Sequence, residues 1–142
     1  MIKVEKFQRK HLKGFECESI VPDLELSMVE NMLDPHKDIV TLIYKNEAIC
    51  FAGINHLRIG VCEAWVIRSP KINKCKFEFF KTIKGLINFV IESMGVHRVE
   101  IAIENTWEKG HKWAKTLGFK LESIAVAYDF NKIDHAIYTR IV

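Results

Sequence analysis

Glu63-Ala64-Trp65-Val66-Ile67-Arg68-Ser69-Pro70 carries an apolar run to a proline stop. Behind it lie the lysine-rich stretch Lys71-Ile72-Asn73-Lys74 and a stripe of Phe77, Phe80, Ile83, Ile87, Val90, Ile91 and Met94. Alternation and β-branching make the first part a strand. Recurrence at three and four residues makes the last part a helix of about five turns, and Gly95 closes it at a left-handed position. A strand feeding a long helix through a short polar loop is the organising unit of the chain.

Upstream, Ile39–Tyr44 and Ala48–Leu57 flank a turn at Asn46-Glu47, and a second turn at Arg58–Gly60 leads to Val61–Ile67. These three runs predict a meander. Ile2, Val4 and Phe7 alternate with charged residues and predict a first strand with one buried face. Asp23 after Pro22 caps a predicted helix through Leu33. Downstream, Val99, Ile101 and Ile103 predict a fifth strand. Asn105 with Glu108 has the form of a helix-start capping pair, and a short helix follows to Leu117, ended by Gly118. Leu121–Tyr128 and Ala136–Ile141 predict a closing hairpin with its turn near Asn131. The order strand, helices, meander, long helix, strand, short helix, hairpin is an α+β, or mixed α/β, layout around one sheet.

The 142 residues are 49% hydrophobic and predict a single domain spanning 1–142. A chain of this size buries roughly 70% of its unfolded surface and needs no disulfide or metal to hold its core. Lys and Arg number 21 against 18 acidic residues, a net charge of +3. That is too mild for a dedicated nucleic-acid binder, though it favours a small polyanionic ligand. No apolar run has the length of a membrane span, and the start Met-Ile-Lys-Val-Glu-Lys lacks the apolar stretch of a secretion signal, so a cytoplasmic location is expected. Cys17, Cys50, Cys62 and Cys75 lack zinc-knuckle spacing and read as buried free thiols. The six histidines are scattered, and no metal is expected.

The order of elements, the stretch from Glu63 to Pro70 and the segment Asn105–Phe119 ending Trp113-Ala114-Lys115-Thr116-Leu117-Gly118-Phe119 resemble the GCN5-related N-acetyltransferase superfamily. The resemblance covers nearly the whole chain. His97-Arg98-Val99, the Trp113–Phe119 run and Asp134-His135-Ala136-Ile137-Tyr138 also resemble a compact acetyltransferase-like group encoded by tailed phages, some of them internal virion proteins. That branch would place the chain in a host cytoplasm or a virion.

The resemblance implies the acyl-CoA N-acyltransferase fold, a single mostly antiparallel sheet flanked by helices, with acetyl-CoA as co-substrate and a primary amine as acceptor. It leaves a homodimer open. It implies that the fourth and fifth strands splay, so that main-chain groups of Trp65, Val66 and Ile67 bind the pantetheine arm. The pyrophosphate would lie at the start of the long helix near Ser69, Lys71, Asn73 and Lys74, because a helix N-terminus offers unpaired N–H groups and partial positive charge. Asn105 would hydrogen-bond the cofactor arm, and is equally a helix cap. Glu63 would be the general base, and is equally a carboxylate facing solvent. His56 and His111 are reserve bases.

Two departures from the family pattern stand out. The Arg/Gln-x-x-Gly-x-Gly/Ala loop is absent, since Ser69–Lys76 contains no glycine, and Lys71, Lys74 and Lys76 are left to compensate by charge. The tyrosine that often protonates the leaving thiolate falls at Ala114, so Tyr128 or Tyr138 of the closing hairpin would have to serve. Those departures motivate the alternative, a weak or inactive relative acting as a virion component or interaction module.

Overall fold

The computed structural model describes residues 1–17, 33–34 and 37–142. The predicted helix from Asp23 to Leu33 falls almost wholly outside the described residues. The described strands are β1 (Lys3–Lys6), β2 (Ile39–Tyr44), β3 (Glu47–Arg58), β4 (Val61–Arg68), β5 (Arg98–Glu104), β6 (Lys120–Ala125) and β7 (His135–Ile141). Two α-helices, α1 (Lys76–Ser93) and α2 (Glu108–Thr116), and two 3-10 turns, Arg9–Leu12 and Pro70–Lys74, complete the set. The strands form one seven-stranded sheet in the order β1-β2-β3-β4-β5-β7-β6. Pairs β1/β2, β2/β3, β5/β7 and β6/β7 run antiparallel and β4/β5 runs parallel, which is the mixed, mostly antiparallel layout expected.

The chain packs as two compact units, Met1–Ile54 with Trp65–Gly85, and Asn55–Ala64 with Leu86–Val142. The first is centred on Phe7, Leu12, Phe15, Leu33, Ile39 and Phe51, with Trp65 and Ile67 packed against them. Phe7 meets Phe51 edge-on at 5.4 Å between ring centroids, a favoured aromatic geometry. Gly53 is required here by space: a Cβ at that position would lie 2.4 Å from the Trp65 ring. The β2–β3 hairpin turns through Lys45 and Asn46, both left-handed at φ 49° and 63°, the arrangement that matches the right-handed twist of the flanking strands.

In the second unit, alternation sorts side chains onto two faces. Val99, Cys62, Ala136 and Tyr138 are buried, while Arg98, Glu100 and Glu122 share the opposite face in an ion-pair triad. β5 pairs with β7 along its whole length, from Arg98↔Ile141 to Glu104↔His135. Its parallel ladder with β4 is far shorter, covering only Val61↔Arg98, Cys62↔Val99 and Glu63↔Glu100.

Several sequence expectations are corrected. β1 does not bury one face; its residues are all exposed, and the buried side chain is Phe7, just past its end. An outermost strand of a sheet has only one neighbour, so alternation there need not mark a core face. The apolar stripe of α1 is out of phase at its start: Ile83 and Ile87 are buried as expected, but the buried aromatic before them is Phe79, and Phe77 is 75% exposed. Both phases are apolar, so periodicity alone could not choose between them. Asn105 is not the cap of α2; the N-cap position is Trp107, which makes no side-chain capping bond. β6 ends at Ala125, so Tyr128 belongs to a loop and not to a strand. Gly95 and Gly118 are left-handed, at φ 64° and 91°, as helix-ending glycines should be.

Candidate functional site

β4 holds Glu63, Trp65, Val66 and Ile67, four of the residues for which the resemblance implies a catalytic or cofactor-binding role. Beyond Glu63 its ladder with β5 has ended, and Trp65, Val66 and Ile67 follow while the strand conformation persists to Arg68. Trp65 and Ile67 pack on the aromatic core of the first unit, and Val66 alternates outward. The strand line continues one residue further through Ser69 N–H, which donates to Ile49 O at 2.8 Å.

The loop before α1 is a tight 3-10 turn that closes on itself. Ser69 is fully buried, and its Oγ accepts from Lys71 N–H at 3.2 Å. Ile72 N–H donates to Ser69 O, and Cys75 N–H to Ile72 O. Phe79 N–H to Cys75 O opens the helical ladder, so the amides of Lys76, Phe77 and Glu78 precede its first i→i−4 bond. Lys71 pairs with the Glu47 carboxylate; this contact lowers the Glu47 pKa and raises that of Lys71. Asn73 and Lys74 are exposed.

Glu63 is half-buried, and the Tyr128 hydroxyl donates to its Oε2 at 3.5 Å. Burial foremost, then the negative charge of Glu63 and the hydrogen bond to it, raise the Tyr128 pKa above its ordinary value. The phenol therefore stays protonated throughout the neutral range.

A dense set of bonds fixes the loop that presents Tyr128. Asp129 Oδ1 accepts from Asn131 N–H at 2.9 Å and Ile133 N–H at 3.0 Å, and Asp134 Oδ1 accepts from Ala127 N–H at 2.9 Å. Tyr128 N–H donates to Ile133 O, and its ring lies over His135 at 4.8 Å between centroids. His135 Nε2 donates to Asp129 Oδ2 at 3.0 Å; together with the two amides it holds the Asp129 carboxyl below its usual range. Ala127 and Lys132 are left-handed at φ 50° and 60°, each a cost of about 1 kcal/mol that the surrounding bonds offset.

The same region brings one atom each of Glu104, Asp129 and His135 within 4.8 Å of one another. The sequence marks none of the three as a site residue, though His135 falls in one of the stretches that carry the resemblance. The sequence expectation for this loop was only a turn near Asn131; Asp129 two residues earlier, the spacing of an Asx turn, is the signal that could have found it.

Tyr138 and His111 are committed to structure. His111 Nε2 donates to Asn105 O at 2.8 Å, which fixes the tautomer and leaves Nδ1 to accept from the Tyr138 hydroxyl at 2.7 Å. Both ring nitrogens are thereby occupied, and Tyr138 is 1% exposed. Asn105 is anchored through its backbone, its N–H donating to Asp134 O, and its side chain is at the surface. Ala114 is fully buried in α2, and His56 is exposed on β3. All four cysteines are free thiols; burial raises the pKa values of Cys50, Cys62 and Cys75. No helix among the described residues is long and apolar enough to cross a membrane.

Searches by sequence find no matching family model and no matching curated protein. Solved structures do match. An acetyltransferase of the GNAT family from Bacillus anthracis superimposes with a TM-score of 0.80 at 13% identity, over 99% of this chain and 94% of the other. The ribosomal-protein-S18-alanine N-acetyltransferase from Escherichia coli gives 0.76 at 12% identity, over 100% and 94%. A GCN5-related N-acetyltransferase from Kribbella flavida gives 0.74 at 11% identity, over 99% and 98%. The chain has the GNAT fold. The end of the β4/β5 ladder at Glu63 and the strand-to-helix turn that follows both lie between Glu63 and Lys74.

Proposed function

We propose that this chain is an acetyl-CoA-dependent N-acetyltransferase acting on a primary amine. The observation that carries this reading is the three-pair ladder between β4 and β5, which ends at Glu63 and leaves the peptide groups of Trp65, Val66 and Ile67 beyond it. Backbone groups released from a ladder need partners, and the amide-rich pantetheine arm supplies donors and acceptors at that spacing. An N–H of this segment polarises the thioester carbonyl, stabilising the oxyanion that forms when the amine attacks.

The diphosphate would lie at the start of α1, drawn by the helix dipole and by Lys74 with Asn73; Lys71 contributes after exchanging Glu47 for phosphate. Ser69 acts by shaping the turn, and Asn105 meets the arm with its exposed side chain. Glu63 removes the proton from the attacking amine.

Calorimetric titration with acetyl-CoA, followed by thiol-release assays with a panel of amines, tests the assignment. Binding with CoA release supports it; no binding at millimolar acetyl-CoA overturns it. The buried Ala114 and the self-bonded turn favour one second reading, a GNAT fold kept as an interaction module or virion component. Binding without release for any amine would be its signature.

A further inference from the structure

We infer that Glu104, Asp129 and His135 form a binding site for a divalent transition-metal cation of the zinc class. The three residues belong to one compact unit, and the inference does not depend on the acetyltransferase reading.

The sheet and the loop beside it assemble the donors. Glu104 ends β5, His135 opens β7, and the two stand opposite each other in the antiparallel ladder. Residues opposite in such a ladder project to the same face, with Cβ atoms roughly 5 Å apart. Asp129 comes from the loop between β6 and β7 and is fixed by the amides of Asn131 and Ile133 at 2.9 and 3.0 Å. One donor atom of each residue lies within 4.8 Å of the other two, and all three residues are partly buried. An ion about 2.1 Å from each donor bridges atoms up to about 4.2 Å apart, so a small side-chain adjustment closes the set.

His135 carries the decisive observation. Its Nε2–H donates to Asp129 Oδ2 at 3.0 Å, so Nδ1 holds a lone pair and no proton. The side chain is 13% exposed, and Nδ1 itself is buried and makes no hydrogen bond. An unprotonated ring nitrogen, oriented by a carboxylate on the other nitrogen, is the form in which histidine ligates a metal. A protonated ring would instead bury a second N–H with no acceptor, so an ion pair with Asp129 leaves Nδ1 unexplained.

The donor chemistry selects the ion. Two carboxylates and a neutral imidazole bring two negative charges, which a dication cancels. Imidazole beside carboxylate suits zinc and its transition-metal neighbours, whereas Mg2+ and Ca2+ favour shells made of oxygen alone. Three protein donors also leave a coordination position to water. Because the three residues come from separate elements, no short ligand spacing marks them in the sequence, and the expectation of no metal drawn from scattered histidines does not reach them.

Calorimetric titration of the parent with Zn2+ should show about one equivalent bound, with no comparable heat from Mg2+ or Ca2+. Glu104→Gln and His135→Gln keep side-chain bulk, and each should weaken Zn2+ binding by more than the roughly 10- to 100-fold that loss of an outer-shell partner costs. His56→Gln, on exposed β3, should leave binding unchanged. Mn2+ added to isotope-labelled parent should broaden the amide resonances of Asn131, Ile133 and His135 before others, a readout that needs no variant. Co2+ should give visible d–d bands without a thiolate charge-transfer band, which separates this site from the four cysteines. No Zn2+ binding by the parent, equal binding by Glu104→Gln and His135→Gln, Mg2+ binding as tight as Zn2+, or broadening centred elsewhere overturns the inference. None of these results bears on whether the chain binds acetyl-CoA.

Discussion

Two loops of this molecule solve opposite problems. The turn Pro70–Lys74 satisfies its amides from within, through Ser69 Oγ, Ser69 O and Ile72 O, so the polar groups it presents are its side chains and the helix start behind it. The loop 126–134 binds its amides with the carboxylates of Asp129 and Asp134, and the outcome is one side chain held in place, Tyr128 against Glu63. A turn closed by its own backbone is compact without glycine, but it has few groups to wrap a phosphate. A loop closed by side chains has the rigidity to position a reactive group.

The strongest way to break this comparison is to remove the carboxylate that the second loop addresses. Glu63→Gln should lower turnover by about 100-fold or more while calorimetry shows acetyl-CoA affinity unchanged. An unaltered rate across the pH range would take Glu63 out of the reaction and leave the loop with nothing to serve.

Next in size is the frame of the loop itself. Asp129→Ala leaves Asn131 and Ile133 amides and His135 without their acceptor, and should destabilise the fold by about 2 kcal/mol in urea unfolding. It should also loosen Tyr128 against Glu63 and so lower kcat a few fold. A stability loss with full activity would mean that Tyr128 needs no such frame.

The first loop should respond more mildly. Lys74→Ala should weaken CoA binding about threefold, and Lys71→Ala less, because Lys71 already has Glu47 as partner. Neither should affect pantetheine lacking phosphates. Equal losses for CoA and pantetheine would indicate general destabilisation instead of phosphate contact.

The smallest effect separates the loops by pH. Asp129 and Glu47 both have depressed pKa values in the folded protein, Asp129 chiefly through His135 and Glu47 through Lys71. Their stabilisation is complete above the unfolded carboxyl range and is lost as pH falls through the folded values, below about pH 4. Asp129→Asn should flatten the acid limb of a melting-temperature profile more than Glu47→Gln, since Glu47 is well exposed and screened.

The residues show where the sequence was legible. β3, β4, β5 and α1 followed from β-branched runs, tight turns and an apolar repeat ended by Gly95, all signals confined to a few neighbouring positions. The exposure of Phe77 over Phe79, the fully exposed β1 and the cap at Trp107 were not legible, because each depends on which neighbour an element meets. At the site, Glu63 and the strand Trp65–Ile67 were named from a resemblance carried by local sequence. Tyr128 was one of two tyrosines named for the thiolate, and only its partner 65 positions away separates it from Tyr138.

The sequence by itself determined the order of elements, the sheet-and-helix class and the absence of a glycine-rich phosphate loop, since these rest on short-range pattern and composition. Tertiary structure alone decided that the β4/β5 ladder stops at Glu63, that Lys71 meets Glu47, and that Tyr128 and not Tyr138 keeps its hydroxyl beside the carboxylate. Such facts are set by the pairing of distant segments, and a hydrogen bond across a fold leaves no periodic trace in the chain that makes it.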